Sequence, residues 1–240
     1  MPHPIAIVGN GRLGNALATA LRTAGHDVTG PLGRGADGFG MDLVLLCVPD
    51  AEIAAAAACI VPGAIVGHCS GATALDALGD RERLALHPLM TVTGPGASLR
   101  GAGCAVAGST PQALARAHAL ATDLGMRPFA IADADRPAYH AAASVASNFL
   151  VTLEGFAERL AATAGVPREA LVPLVRATVD NWAVAGPGRA LTGPIARGDV
   201  ATVARQRAAV AVHAPEFAEL FDALATATAR LAQSPARAAA

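Results

Sequence analysis

Gly9, Gly11 and Gly14 stand near the start of the chain in the run Gly-Asn-Gly-Arg-Leu-Gly, where a short apolar stretch gives way to leucines at helical spacing. A G-x-G-x-x-G turn of this kind suits a diphosphate. The first glycine permits the tight turn, the second lets the backbone approach a pyrophosphate, and the third lets helix and strand pack closely. Gly9, Asn10, Gly11, Arg12, Leu13 and Gly14 are therefore the expected cradle of a dinucleotide, with the positive end of the next helix facing its phosphates. Further along, His87 precedes a proline at a strand end, and His140, Ser144 and Asn148 recur at i, i+4 and i+8. An imidazole can pass a proton near neutral pH, the Asn148 amide can hold a carbonyl oxygen, and Ser144 can donate weakly. Two readings stay open at each place. His87 is a proton donor or ligand anchor, or else a histidine bonded to a loop carbonyl. The stripe of three faces a ligand, or else satisfies itself between packed helices.

Those side chains need elements to carry them. Ile5 to Val8 reads as a buried parallel strand and Leu13, Leu17 and Leu21 as one face of the following helix. Strands are expected over His26–Leu32, Asp42–Pro49, Ala64–His68, Leu84–Leu86, Cys104–Ala107 and Arg127–Ile131. Helices fall between them at Asp50–Ile60 and Pro111–Leu124, the alternation of a doubly wound sheet. Ligands in such sheets lie at the carboxyl ends of strands, so Cys47, Val48 and Pro49, then Ser70 and Gly71, are expected to border the nicotinamide half of the crevice. Ser70 could equally cap a helix.

An NAD site wants an acidic residue past the second strand, and this chain has Arg34 there, between Gly33 and Gly35. A guanidinium suits a 2'-phosphate, so NADP(H) is expected over NAD(H). The span from Arg34 to Met41 is too short for a crossover helix.

After Asp133 strand signals stop, and helices are expected over Pro137–Ala164, Pro167–Val184, Asp199–Val212 and Pro215–Gln233. Gly186 to Pro194 is too rich in glycine and proline to be helical, and Ser234 to Ala240 reads as a frayed end. Thr192, Arg197 and Asp199 either cap the next helix or close a site from a second subunit. The expected fold is a Rossmann-like, doubly wound, mostly parallel α/β domain over residues 1–132, followed by an all-helical domain over 133–240. The Ala/Leu/Val/Phe surface of the late helices points to a homodimer.

Composition narrows the function. Hydrophobic residues make up 53% and charged ones 15%, as in a compact globular chain. A net charge of -1, no basic run and 3% aromatics argue against nucleic acid. No apolar stretch reaches spanning length, so no membrane partner and a soluble, cytoplasmic protein are expected. The seven histidines show no H-x-x-x-H spacing, and Cys47, Cys59, Cys69 and Cys104 show no C-x-x-C, so no metal site and free buried thiols are expected. All 18 Lys+Arg residues are arginine, which removes Schiff-base and lysine-acid chemistry.

Gly-Asn-Gly-Arg-Leu-Gly, Val-Pro-Asp, His-Cys-Ser-Gly, Leu-His-Pro-Leu, Ser-Asn-Phe-Leu and Leu-Thr-Gly-Pro-Ile-Ala-Arg-Gly-Asp occur in that order over nearly the whole chain. Together they resemble a bacterial family that joins a Rossmann-like NAD(P)-binding domain to a helical C-terminal domain of unknown function. More distantly the chain is similar to pyrroline-5-carboxylate reductase, coenzyme F420-dependent NADP oxidoreductase, the beta-hydroxyacid dehydrogenases and ketopantoate reductases. The resemblance implies NADP(H)-dependent reduction of a small carbonyl or imine acid, possible substrates including ketopantoate. Distant relatives share a Lys-x-x-x-Asn pair on the first helix of the second domain. Asn148 matches the asparagine, and Ser144 stands where they carry the lysine. The alternative is a non-catalytic NADP(H)-binding sensor.

Overall fold

The computed structural model describes residues 3–234. Its sheet has seven strands: β1 (Ile5–Val8), β2 (Val28–Leu32), β3 (Leu43–Leu46), β4 (Ile65–His68), β5 (Arg83–Leu89), β6 (Gly103–Gly108) and β7 (Arg127–Ala130), in the order β2-β1-β3-β4-β5-β6-β7. The strands from β2 to β5 are mutually parallel, β6 runs antiparallel to β5, and β7 is parallel to β6. The expected strand from His26 begins only at Val28.

Alternation along each central strand divides the core in two. Ile5, Ile7, Leu43, Leu45, Leu84 and Leu86 face α1 (Arg12–Thr23) and α3 (Pro111–Asp123), where Leu17, Leu21 and Leu120 complete one cluster. Ala6, Val8, Val44, Leu46 and Val66 build the opposite face with Ile53 and Ala57 of α2 (Ile53–Cys59). Successive side chains of a strand point to opposite faces, so strands apolar at every position need helices on both. The expected helix at Asp50 begins with a 3-10 turn, Asp50–Glu52.

The connection from β2 to β3 must pass β1, and it does so without a helix. Ala36 and Met41 pack on the α2-side cluster instead, and the Asp37 carbonyl accepts the Val61 N–H at 2.9 Å. A loop that buries its own apolar residues can cover the space a crossover helix would fill.

Thr110 starts α3: its hydroxyl oxygen accepts the Ala113 N–H at 3.0 Å and its proton goes to Glu82 at 2.6 Å. Thr110→Ala is expected to lower stability by about 1–2 kcal/mol in urea unfolding, the usual effect of losing such a cap.

Helices follow as α4 (Arg136–Ser144), a π turn (Val145–Phe149), α5 (Leu150–Thr163), α6 (Arg168–Ala190), α7 (Val200–His213) and α8 (Ala218–Ala232). By compactness the chain divides between Ser147 and Asn148. In the second unit Phe156, Val210 and Ala214 are buried, and the Phe156 and Phe217 rings stack with centroids 4.5 Å apart. Bidentate pairs tie Arg168 to Glu158 and Arg207 to Asp222. Asp199 caps α7 by accepting the Thr202 N–H at 3.0 Å.

Two expectations for this part need correction. The segment from Gly186 to Pro194 is not wholly non-helical. The break falls at Gly186, with φ 74°, and α6 resumes to Ala190. Pro187 opens that resumed turn, where its missing N–H is of no consequence. The expected helix Pro137–Ala164 is interrupted by the π turn. The last expected stretch, 234–240, lies outside the described residues from 235 on.

Candidate functional site

The glycine turn lies between β1 and α1, and its three glycines differ in what surrounds them. A Cβ on Gly9 would lie 2.2 Å from the Cys47 carbonyl oxygen, and one on Gly14 would lie 1.9 Å from the Gly9 carbonyl oxygen. Those two are glycine because the fold leaves no room. A Cβ on Gly11 would meet nothing within 4 Å, so among the described residues no packing demands a glycine there. Gly11 is the N-cap of α1, and no side chain caps that helix. Asn10, Gly11 and Arg12 are exposed, so the first N–H groups of α1 are open to an anion. These are the features expected where a phosphate group rests against backbone.

Asn15 stiffens this loop: its amide donates to the Asn10 side chain at 3.0 Å and to the Gly11 carbonyl at 2.9 Å. Sequence reasoning missed it, although an asparagine directly after the third glycine was a readable signal. Val48 and Pro49 follow β3, and Asp50 opens the turn before α2.

Arg34 is 86% exposed and donates to both carboxylate oxygens of Glu52, at 2.9 and 3.0 Å. The chain brings the pair to the loop from both sides. Leu32, two residues before Arg34, accepts the Gly9 N–H at 2.9 Å, and Cys47, five before Glu52, abuts Gly9. Glu52 occupies the guanidinium with the kind of anion a phosphate would replace.

Ser70 is committed internally. Its hydroxyl donates to Asp50 at 2.8 Å and accepts the N–H groups of Ala72 and Thr73 at 3.2 and 2.9 Å, while its own N–H goes to His68 Nδ1 at 3.2 Å. This ties the end of β4 to the turn before α2. His68 itself is fully buried, and burial first, then the Arg136 charge, pulls its pKa down to about 4.

His87 sits near the carboxyl end of β5, half-buried, with its ring over Gly71. A Cβ there would come within 2.8 Å of the imidazole. Its Nδ1 lies 2.7 Å from the Tyr139 hydroxyl, and Tyr139 meets Phe129 edge-on at 6.0 Å. Burial, with lesser effects of His140 and Arg136, lowers the His87 pKa to about 4, while burial pushes Tyr139 up to about 12. At neutral pH the phenol therefore keeps its proton, and one hydrogen bond joins it to Nδ1. The ring is a neutral imidazole, one nitrogen donating and the other accepting, and not an imidazolium acid.

Arg136, only 2% exposed, donates from Nε to Asp133 at 2.6 Å and supplies the buried positive charge that both histidines feel. Sequence reading missed Tyr139, Arg136 and Asp50. Tyr139 is the sole tyrosine and the neighbour of His140. His140 is exposed and Ser144 half-buried on α4, while Asn148 lies in the π turn. The backbone between Ser144 and Asn148 thus departs from the α period their spacing assumed, and π turns recur at functional sites.

The thiols are free, but not all are buried. Cys59 is exposed and Cys47 is half-buried at the loop, while Cys69 and Cys104 are buried. Among the described residues no cluster of three metal-ligating side chains occurs, and no helix is long and apolar enough to cross a membrane.

Residues 102–228 match the family described as "Domain of unknown function (DUF2520)". No curated protein matches the chain. Among solved structures, the chain is similar to BF3122 of Bacteroides fragilis, which bears the provisional name NADP oxidoreductase. That match has 20% identity and a TM-score of 0.81 and covers 95% of this chain and 98% of that one. Protein TM1727 from Thermotoga maritima has 22% identity and a TM-score of 0.80 over 96% and 100% of the two chains. The reductive aminase from Aspergillus terreus, in complex with NADPH and ethyl-5-oxohexanoate, has 16% identity and a TM-score of 0.70 over 96% and 94%. All share this fold.

Proposed function

The chain belongs to the DUF2520 family, and from the glycine-loop geometry and the solved structures of like fold we propose an NADP(H)-dependent oxidoreductase acting on a small carbonyl or imine acid, with ketopantoate the first substrate to try. One observation carries the reading: a Cβ on Gly11 would meet nothing in the protein, yet Gly11 stands at an uncapped helix N-terminus between two glycines that packing does require. The NADPH held by the Aspergillus aminase and the name of the Bacteroides protein support the choice of cofactor.

The nicotinamide would supply hydride. The chain's own part is to bind and orient. The α1 N-terminus holds the diphosphate, Arg34 takes the 2'-phosphate in place of Glu52, and Cys47, Val48, Pro49 and Gly71 border the ring. His87 would donate a hydrogen bond from Nε2 to a carbonyl oxygen or imine nitrogen, in the tautomer that a Tyr139 hydroxyl donating to Nδ1 favours. The Asn148 amide and Ser144 hydroxyl orient the substrate, and His140 is the alternative proton source.

Titration with NADPH should raise the melting temperature, and ketopantoate should drive its oxidation. No response to either reduced nicotinamide would refute the proposal. His87→Ala and Asn148→Ala should lose turnover while keeping NADPH affinity. Unchanged turnover in both would remove the two residues from the reaction, and NADPH binding with no turnover in the parent protein would mean that it senses the nucleotide without reducing anything. Arg34→Ala should weaken NADPH by roughly three- to tenfold and leave NADH unchanged, as expected for an exposed ion pair, and parallel titrations would show it.

The helical unit exposes Val151, Leu174, Trp182, Val184 and Val200. We assign that apolar surface to a homodimer of a cytoplasmic protein, which sedimentation at micromolar concentration would test; a monomer there removes the dimer.

A further inference from the structure

Cys47 and Cys69 lie one residue beyond Leu46 and His68, the last ladder pair of β3 and β4. Neighbouring strands run about 4.8 Å apart, inside the Cα separation that a disulfide spans. The side chains already face each other, with the two sulfurs 3.7 Å apart and both thiols free. Cys47 is half-buried and Cys69 is buried behind it. The contact with Cys47, reinforced by burial, holds the Cys69 thiol well above its usual pKa, so it stays protonated until a partner sulfur is activated. The reduction proposed above uses neither thiol. Yet Cys47 is the floor of the glycine loop. Its carbonyl sits where a Gly9 side chain would be, and its Cβ would lie 3.3 Å from a Cβ on Gly14.

We propose that Cys47 and Cys69 are a redox-active pair, which a hydroperoxide converts to a reversible disulfide under the glycine loop. The Cys47 sulfur attacks a peroxide oxygen, the O–O bond breaks, and water or an alcohol leaves as the S–O bond of a sulfenic acid forms. The Cys69 sulfur then attacks the Cys47 sulfur. The S–S bond forms, the S–O bond breaks, and the departing oxygen leaves as water with the Cys69 proton. Two thiols lose two electrons in all, and the peroxide gains them. A dithiol reverses the change by exchange. Closing the sulfurs to about 2.0 Å draws Cys47 from beneath Gly9 and Gly14 and loosens the phosphate cradle. That effect on affinity rests on the nucleotide reading; the oxidation does not.

The test uses the full chain carrying Cys59→Ser, because the exposed Cys59 would crosslink copies. No arginine lies between Arg34 and Arg81, so cleavage at arginine leaves Cys47 and Cys69 on one peptide, and cleavage after Glu52 is needed to separate them. Hydrogen peroxide should remove two hydrogens from the intact mass and join the Cys47 and Cys69 peptides. Dithiothreitol should restore both, and the NADPH dissociation constant should rise about tenfold in the oxidised form. Adding Cys69→Ser should abolish the link and leave Cys47 open to sulfinic acid. Unchanged thiols, a Cys69–Cys104 link, or oxidation that stops on Cys47 with Cys69 present would overturn the pair. A linked protein that binds NADPH as tightly as the reduced one would overturn the coupling to the loop. Linkage with no NADPH binding in either form would refute the nucleotide reading and leave the pair standing. Binding without linkage would do the reverse.

Discussion

Gly11→Ala should fold like the parent protein and lose NADPH affinity by roughly ten- to a hundredfold, the effect of one methyl group holding a diphosphate off the backbone. The fold tolerates the change. Gly11 has φ -82° and ψ -176°, open to any residue, and nothing lies within 4 Å of the new Cβ. Gly14→Ala is the contrasting case. Its Cβ would sit 1.9 Å from the Gly9 carbonyl oxygen, so α1 must shift from β1, at about 3 kcal/mol or more. Urea unfolding and NADPH titration on both variants separate the two effects. If Gly11→Ala binds NADPH normally, the diphosphate does not rest on this loop.

Acidification from pH 6.5 to about 4 should destabilise the sheet unit, and the sign follows from two histidines. His68 and His87 both have folded pKa values near 4, below the ordinary 6.5, chiefly because burial penalises the charged ring. Between those values the unfolded chain binds protons that the folded chain refuses, so stability present in full above pH 6.5 is lost as pH falls towards 4. For the fully buried His68 the loss is at most about 3 kcal/mol, at 1.36 kcal/mol per pH unit. The half-buried, partly solvated His87 adds less. Urea midpoints at pH 7 and 4.5 should show the fall, and His68→Asn, whose amide oxygen can still accept the Ser70 N–H, should flatten it. A profile equally steep in that variant would remove His68 as its cause.

The sheet was readable from sequence because its signals are local. Ile5 to Val8 and Leu43 to Leu46 are apolar at every position, which only a strand covered on both faces requires. Gly9 announced a tight turn and Gly14 a close approach of helix and strand, and the shortness of the span after Arg34 announced a missing crossover helix. The antiparallel direction of β6 and the π turn at Val145–Phe149 were not readable, because neither leaves a periodicity of its own.

Of the candidate site, residue types fixed the possible chemistry: a diphosphate cradle, an imidazole at a strand end, and no amine anywhere in the side chains. Tertiary structure alone decided the states of those groups. His87 reads as a neutral-pH proton donor in sequence, and it is an uncharged imidazole only because burial sets its charge, with Nδ1 paired to Tyr139, 52 positions away. Ser70 reads as a ligand contact or a cap, and Asp50 and the Thr73 N–H commit it to the turn. Arg34 reads as a phosphate partner, and Glu52 holds it meanwhile. Backbone conformation depends on neighbours along the chain, so the sequence displays it. Protonation and pairing depend on desolvation and on charges from distant segments, which come together only when the chain has folded.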